Sequence, residues 1–277
     1  MIIDSHQHFW HFNAPRDNWI TDEMATLRRD FLPEHLHPEL LANRVDGCVA
    51  VQVDQSEQET ARMLQLAEEN RFILGVVGWV DLRSDRIEER LRHFSQFPRL
   101  RGFRHVAQAE TNDRFLVRPD FARGIGHLAN FGFTYDILIY PRQLPAAIEL
   151  VAHVPEQKFV VDHLAKPEIR SRKIADWERE IRKLAGYPNA WCKLSGLVTE
   201  ADWKAWQASD FAPYLDVVFD CFGARRLMFG SDWPVCLLAA EYGQVKGMIE
   251  AYTRDLRQSE KENIFGGNAA RFYGLSA

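Results

Sequence analysis

Ile2-Ile3-Asp4-Ser5-His6-Gln7-His8 begins the chain. An apolar start that runs into two histidines one residue apart reads as a short buried strand over 2–5, with His6 and His8 at its carboxyl end. Residues i and i+2 of a strand share a face, so both imidazoles can aim at one point. Seven further β-rich runs follow at fairly regular spacing, over 47–53, 73–80, 100–105, 134–139, 158–162, 190–194 and 226–230. Several are near-continuous apolar stretches, such as Val49-Ala50-Val51 and Leu74-Gly75-Val76-Val77. That pattern suits strands buried on both faces, as in a parallel sheet.

The segments between these runs carry helical spacing. Ala61, Leu64, Leu66 and Ala67 stand among charges in 57–70, and Ile87, Leu91 and Phe94 share one face of 85–97. Segments 121–131, 142–154, 174–186, 213–222 and 242–256 read the same way. Ser259 with Glu262 suggests a capping box at the last helix. Eight strands alternating with helices predict an α/β fold, a closed (β/α)8 barrel forming one domain over 1–277. An open doubly wound sheet would be the alternative, but no G-x-G-x-x-G follows the first strand. The longest irregular stretch, about 9–43, is rich in Trp, Pro and charge, and is expected to be a functional loop.

With 277 residues, 46% of them hydrophobic, the chain can bury one large core. A net charge of −5 offers no basic face, so no nucleic-acid partner is expected. Cys48, Cys192, Cys221 and Cys236 form no C-x-x-C pair and read as reduced thiols. No signal peptide is visible, and no apolar run approaches the roughly 20 residues of a membrane helix. A cytoplasmic protein with no membrane partner is expected.

Active sites of such barrels lie at the carboxyl ends of the strands. His6 and His8 end the first run, His163 the sixth, and Asp232 the eighth. Three imidazoles and a carboxylate can hold a divalent ion with an open position for water. They can equally polarise a substrate carbonyl without metal, with Asp232 as the base. Asp4 and Asp162, which precede histidines, are expected to orient imidazoles.

The motifs as a set resemble those of the amidohydrolase superfamily, in its lactonase branch. They are Asp4-Ser5-His6-Gln7-His8-Phe9-Trp10, Leu100-Arg101-Gly102-Phe103-Arg104, Asp162-His163-Leu164-Ala165-Lys166-Pro167, Lys193-Leu194-Ser195-Gly196, Phe229-Gly230-Ser231-Asp232-Trp233-Pro234 and Asn268-Ala269-Ala270-Arg271-Phe272-Tyr273. The resemblance spans nearly the whole chain and implies an amidohydrolase-type TIM barrel. Many relatives carry a bridging lysine on the fourth strand and a histidine on the fifth. Here the fourth run ends in Arg104 and His105, and the fifth offers no histidine, so a two-metal site is not expected.

What the resemblance implies is a carboxylic ester hydrolase that opens a small-molecule lactone of carbohydrate metabolism. Asp232 would activate water, and His6, His8 and His163 would polarise the carbonyl or, with Asp232, hold one divalent ion such as zinc. Metal independence is the other option within the branch. Asp54, Trp79, Arg104, His105, Tyr135, Asp136 and Trp233 are candidates for substrate contact, with Asp81 and Trp10 behind them. Abundant acidic and aromatic rim residues tilt the choice to a neutral aldonolactone, of the L-fucono, L-rhamnono or galactono kind, over a pyrone dicarboxylate. A metal-dependent decarboxylase of the same superfamily is the main alternative, and a metabolite sensor or carrier a third.

Overall fold

The computed structural model describes residues 1–275. Its eight strands are β1 (Ile3–Gln7), β2 (Gly47–Val51), β3 (Ile73–Gly78), β4 (Leu100–His105), β5 (Thr134–Ile137), β6 (Phe159–Val161), β7 (Ala190–Leu194) and β8 (Leu227–Phe229). Each pairs in parallel with the next, in the order β1 to β8. The ring closes just past β8, where the Trp233 carbonyl accepts the His8 N–H at 2.7 Å and the His6 carbonyl accepts the Asp232 N–H at 2.8 Å. The expected (β/α)8 barrel is the fold, and the two segments that close it are those bearing the first histidines and the aspartate.

The helices are α1 (Pro33–Ala42), α2 (Glu57–Glu69), α3 (Ile87–Phe94), α4 (Pro119–Leu128), α5 (Leu144–His153), α6 (Ala175–Ala185), α7 (Ala208–Phe222), α8 (Tyr242–Tyr252), α9 (Gln258–Glu262) and α10 (Asn268–Tyr273). Two expectations are corrected. The stretch 9–43 is not irregular throughout, because α1 occupies its end. Pro33 opens α1 at a position whose N–H would have no helical partner, whereas Pro38, the sixth residue of α1, gives up one helical hydrogen bond. The capping box of α9 lies two residues earlier than expected: the Arg257 N–H donates to the Glu260 carboxylate, and Ser259 lies inside the helix.

Two apolar layers result. Outward-facing residues of the strands, among them Phe103, Tyr135 and Phe159, pack under the helices with Phe94, Phe121 and Phe133. Inward-facing Ile3, Val49, Val51, Val77, Val160 and Met228 pack against Ala269, Phe272 and Tyr273 of α10. The last helix thus plugs the amino-terminal end of the barrel and leaves the carboxyl end as its mouth. Among the described residues no helix is long and apolar enough to cross a membrane, and the four cysteines are free.

Candidate active site

The histidine pair owes its aim to a bulge. β1 pairs with β2 through Asp4↔Cys48 and then Gln7↔Ala50, so β1 carries one extra residue between them. Such a bulge re-aims side chains. It brings His6 Nε2 within 3.2 Å of His8 Nε2. His8 Nδ1 lies 2.8 Å from the Val51 carbonyl. A carbonyl only accepts, so Nδ1 carries a proton and Nε2 is the nitrogen that faces the mouth. β8 crosses close behind: a Cβ at Gly230 would stand 2.7 Å from His6 Cβ.

His163 is delivered by an unusual turn. His163, Leu164, Ala165 and Lys166 all have φ between 50° and 59°. Left-handed backbone costs L-residues of order 1–2 kcal/mol each, and such strain persists where the surroundings over-determine it. Here they do. The His163 ring is held by Ser195, with Nδ1 2.9 Å from Oγ, and by Gly196, where a Cβ would come within 2.6 Å of the ring. Trp177 Nε1 donates to the Leu164 carbonyl at 2.7 Å and ties the turn to α6.

Asp232 also has positive φ, 59°. Its Oδ1 lies 3.4 Å from His8 Nε2, 3.8 Å from His6 Nε2 and 3.9 Å from His163 Nε2. Burial pushes the Asp232 carboxyl up, but His163 and His8 outweigh it and hold it below the ordinary carboxylate value, so it is ionised. Burial drives the pKa of both His6 and His163 well down, leaving neutral rings. Asp4 fixes the backbone of both segments: Oδ1 accepts the N–H groups of His6 and Ser231, and Oδ2 accepts the hydroxyls of Ser231 and Tyr242. Burial raises the Asp4 carboxyl to about 6 against those hydrogen bonds.

Beneath these four residues lies a buried charged layer that the sequence did not announce. Lys193 of β7 has no exposed surface. Its Nζ donates to Asp136 Oδ2 at 2.5 Å and to His6 Nδ1 at 3.0 Å, with Asp162 Oδ1 also at 3.0 Å. Arg104 donates to Asp162 Oδ2 at 3.0 Å and to the Gln52 carbonyl, and its NH1 is 3.3 Å from His6 Nε2. Tyr273 of the plug donates to Asp136 Oδ2 at 2.8 Å. Two cations and two carboxylates thus fill the barrel between plug and mouth. Burial lifts Asp136, whereas Lys193, His6 and Arg104 overcome burial and hold Asp162 well below the usual range. A lysine in the otherwise apolar run of β7 was the available signal.

The remaining candidates scatter. Arg104 and Asp136 point inward and are committed to this layer. Their strand neighbours His105 and Tyr135 point outward, His105 stacked on Phe115 and Tyr135 against Phe121 and Phe159. His105 still reaches the rim through a partner: its Nδ1 accepts Trp79 Nε1 at 3.3 Å, and its Nε2 meets Glu110 at 2.8 Å. Trp79 and Asp54 are half-buried at the carboxyl ends of β3 and β2, and Asp54 accepts the Ser56 hydroxyl. Asp81 pairs with Arg83. Trp233 and Trp10 are buried under the β1–α1 connection against Phe31.

The donor set suits one divalent ion. His6, His8 and Asp232 each offer a ligand atom within 4.8 Å of one another, as do His6, Asp162 and His163. His8 Nε2 and Asp232 Oδ1 face each other at 3.4 Å, a gap that a shared proton or a cation bridges. Four nitrogen and oxygen donors match zinc chemistry.

The amidohydrolase family model matches residues 3–275. L-fucono-1,5-lactonase of Burkholderia multivorans is 43% identical over 284 residues, covering 99% of this chain and 96% of that one. L-fucono-1,5-lactonase of Burkholderia ambifaria is 35% identical, covering 99% and 95%. The crystal structure of an amidohydrolase from Burkholderia multivorans with bound zinc superposes with a TM-score of 0.96 over the whole of both chains, at 43% identity. The chain belongs to the amidohydrolase family.

Proposed function

We propose that this protein is a carboxylic ester hydrolase that opens the ring of a sugar-acid lactone, with L-fucono-1,5-lactone the first substrate to test. One observation carries the mechanism: an ionised, buried carboxylate, Asp232, sits among three imidazoles at the mouth of the barrel. The full-length similarity to L-fucono-1,5-lactonases supports the substrate class. It does not favour the decarboxylase or pyrone-dicarboxylate alternatives.

In this reading Asp232 takes a proton from water as the water oxygen attacks the lactone carbonyl carbon. His6 and His163 face the developing oxyanion and stabilise it by hydrogen bonding in a site shielded from bulk water. Collapse of the tetrahedral intermediate breaks the bond to the ring oxygen, and the proton on Asp232 passes to that leaving oxygen. Free acid and a new hydroxyl result, and the acid ionises. Trp79 would give the sugar ring a face, positioned by His105, and Asp54 would accept from hydroxyls at the rim. His6, His8, His163 and Asp232 would hold a divalent ion, which when bound would supply Lewis acidity at the carbonyl.

A pH-indicator screen of aldonolactones, run with and without chelator, tests this. Proton release well above the spontaneous rate supports it, and chelator sensitivity reports the need for metal. Silence across the panel, with carbon dioxide released from aromatic acids, would replace it with decarboxylation.

A further inference from the structure

The left-handed turn that delivers His163 ends on Lys166, whose N–H donates to the His163 carbonyl at 2.7 Å. Across from it stands Glu200, at the end of the short turn Val198–Glu200 that follows β7. The backbone ties the two segments together: the Arg170 N–H donates to the Glu200 carbonyl at 3.0 Å, and the Glu200 N–H to the Leu197 carbonyl at 3.2 Å. Lys166 Nζ lies 3.5 Å from Glu200 Oε1, with the side chains 18% and 21% exposed. Tyr140, just past β5, holds its ring centroid 5.6 Å from the same ammonium, within cation–π range. The three residues thus come from the carboxyl ends of the adjacent strands β5, β6 and β7, beside Asp232 at the end of β8.

This pair is poorly matched to itself. Charge-assisted N–H···O bonds run to about 2.7–2.9 Å, and an ion pair largely removed from water repays its desolvation only with good geometry and further hydrogen bonds. Among the described residues the ion pair is the only polar contact of either side-chain head. An ammonium has three donors and a carboxylate about four acceptor sites, so most of the capacity of both is free at the rim. Both also sense the site. Burial lowers His163 first, and the Lys166 charge adds to it; burial raises Glu200 first, and Asp232 adds to it.

We infer that Lys166 and Glu200 form a subsite for two adjacent hydroxyls of the substrate ring, Lys166 donating to one and Glu200 accepting from the other. Tyr140 orients the ammonium through its ring face and so leaves the N–H groups free. A diol laid across the pair completes charge-assisted hydrogen bonds on both members, which the pair alone does not make. The reacting carbonyl then lies over Asp232 and His163, because Lys166 shares its turn with His163 and β7 and β8 are neighbours. The subsite selects polyhydroxy lactones over lactones without neighbouring hydroxyls.

The test is kcat/KM of wild type, Lys166→Met and Glu200→Gln on L-fucono-1,5-lactone and on its 2-, 3- and 4-deoxy counterparts, beside thermal unfolding of each protein. Wild type should prefer the parent over the deoxy lactones at two adjacent carbons by on the order of 100-fold. Each variant should lose a similar factor on the parent, mainly through KM, and its preference over at least one of those deoxy lactones should shrink to about threefold. Lys166→Met leaves Glu200 without its cation; if it does not fold, Lys166→Met/Glu200→Gln removes both charges and carries the same expectation. Losses by an equal factor on all four lactones would mark a structural role and overturn the inference. So would a wild type indifferent to every missing hydroxyl. The inference rests on the lactonase reading: wild type inert on all four lactones would sink both, whereas activity with unselective losses would sink this one alone.

Discussion

Asp232→Asn separates chemistry from fold at the residue on which the mechanism turns. The backbone at Asp232 has φ 59°, a conformation that Asn tolerates better than other non-glycine residues. Its backbone bonds, N–H to the His6 carbonyl at 2.8 Å and carbonyl to the Cys236 N–H at 2.9 Å, do not depend on the side chain. Stability should therefore change by no more than about 1 kcal/mol, a Tm shift of a few degrees. The amide keeps the shape and one acceptor but cannot take a proton. General-base catalysis contributes typically 10²–10⁴-fold, so kcat should fall about a thousandfold, or ~4 kcal/mol of barrier. The assay is initial-rate lactone hydrolysis beside thermal unfolding on the same preparation. Turnover within tenfold of wild type, in a variant equally stable, would refute the assignment of Asp232 as the base.

Three other outcomes follow from the geometry. Gly196→Ala should displace the His163 ring, since its Cβ would lie 2.6 Å away at φ 65°, and lower kcat on the order of 100-fold. Gly132→Ala, at φ 74° with open space around it, should cost only stability, so equal activity losses would contradict the claim. The acid limb of kcat/KM that belongs to Asp232 should lie below pH about 4, because the group is held below its ordinary 3.8 and must be ionised to act; a limb near pH 6 that vanishes in Asp232→Asn would contradict it. Glu59, which accepts the Val53 and Asp54 N–H groups, is raised by burial from 4.5 to about 7. The folded protein then binds that proton more tightly than the unfolded chain. Its contribution, about 3 kcal/mol, is full below pH 4.5 and lost as pH rises through 7. Urea unfolding at pH 5 and pH 8 should show a smaller difference in Glu59→Gln than in wild type.

The barrel was legible because strands buried on both faces leave near-continuous apolar runs, and eight of them recur between helices. The histidine pair was legible as a motif at the end of the first run, but the aim of its rings is set by the bulge in β1 and not by strand alternation alone. Side-chain direction was less so. Neighbours on one strand face opposite ways, so of Arg104 and His105, or Asp136 and Tyr135, only one can enter the barrel, and the sequence does not print the register. The extra residue in β1 shifts that alternation again. The left-handed turn at His163 has no glycine to announce it, since it is enforced by Ser195, Gly196 and Trp177 from distant parts of the chain. Lys193 was quoted within a motif, but its meaning depends on Asp136, Asp162 and His6 converging from three other strands.

The central claim is that Asp232 delivers water to a lactone carbonyl. The most direct measurement is a single turnover of L-fucono-1,5-lactone in H218O with protein in excess, the acid then analysed by mass spectrometry. Water attack assisted by Asp232 predicts one heavy oxygen per product, in the carboxylate, with the former ring oxygen unlabelled. Unlabelled product, with the heavy oxygen found in the Asp232 carboxylate after that single turnover, would mean that the aspartate itself attacked, and would contradict the account.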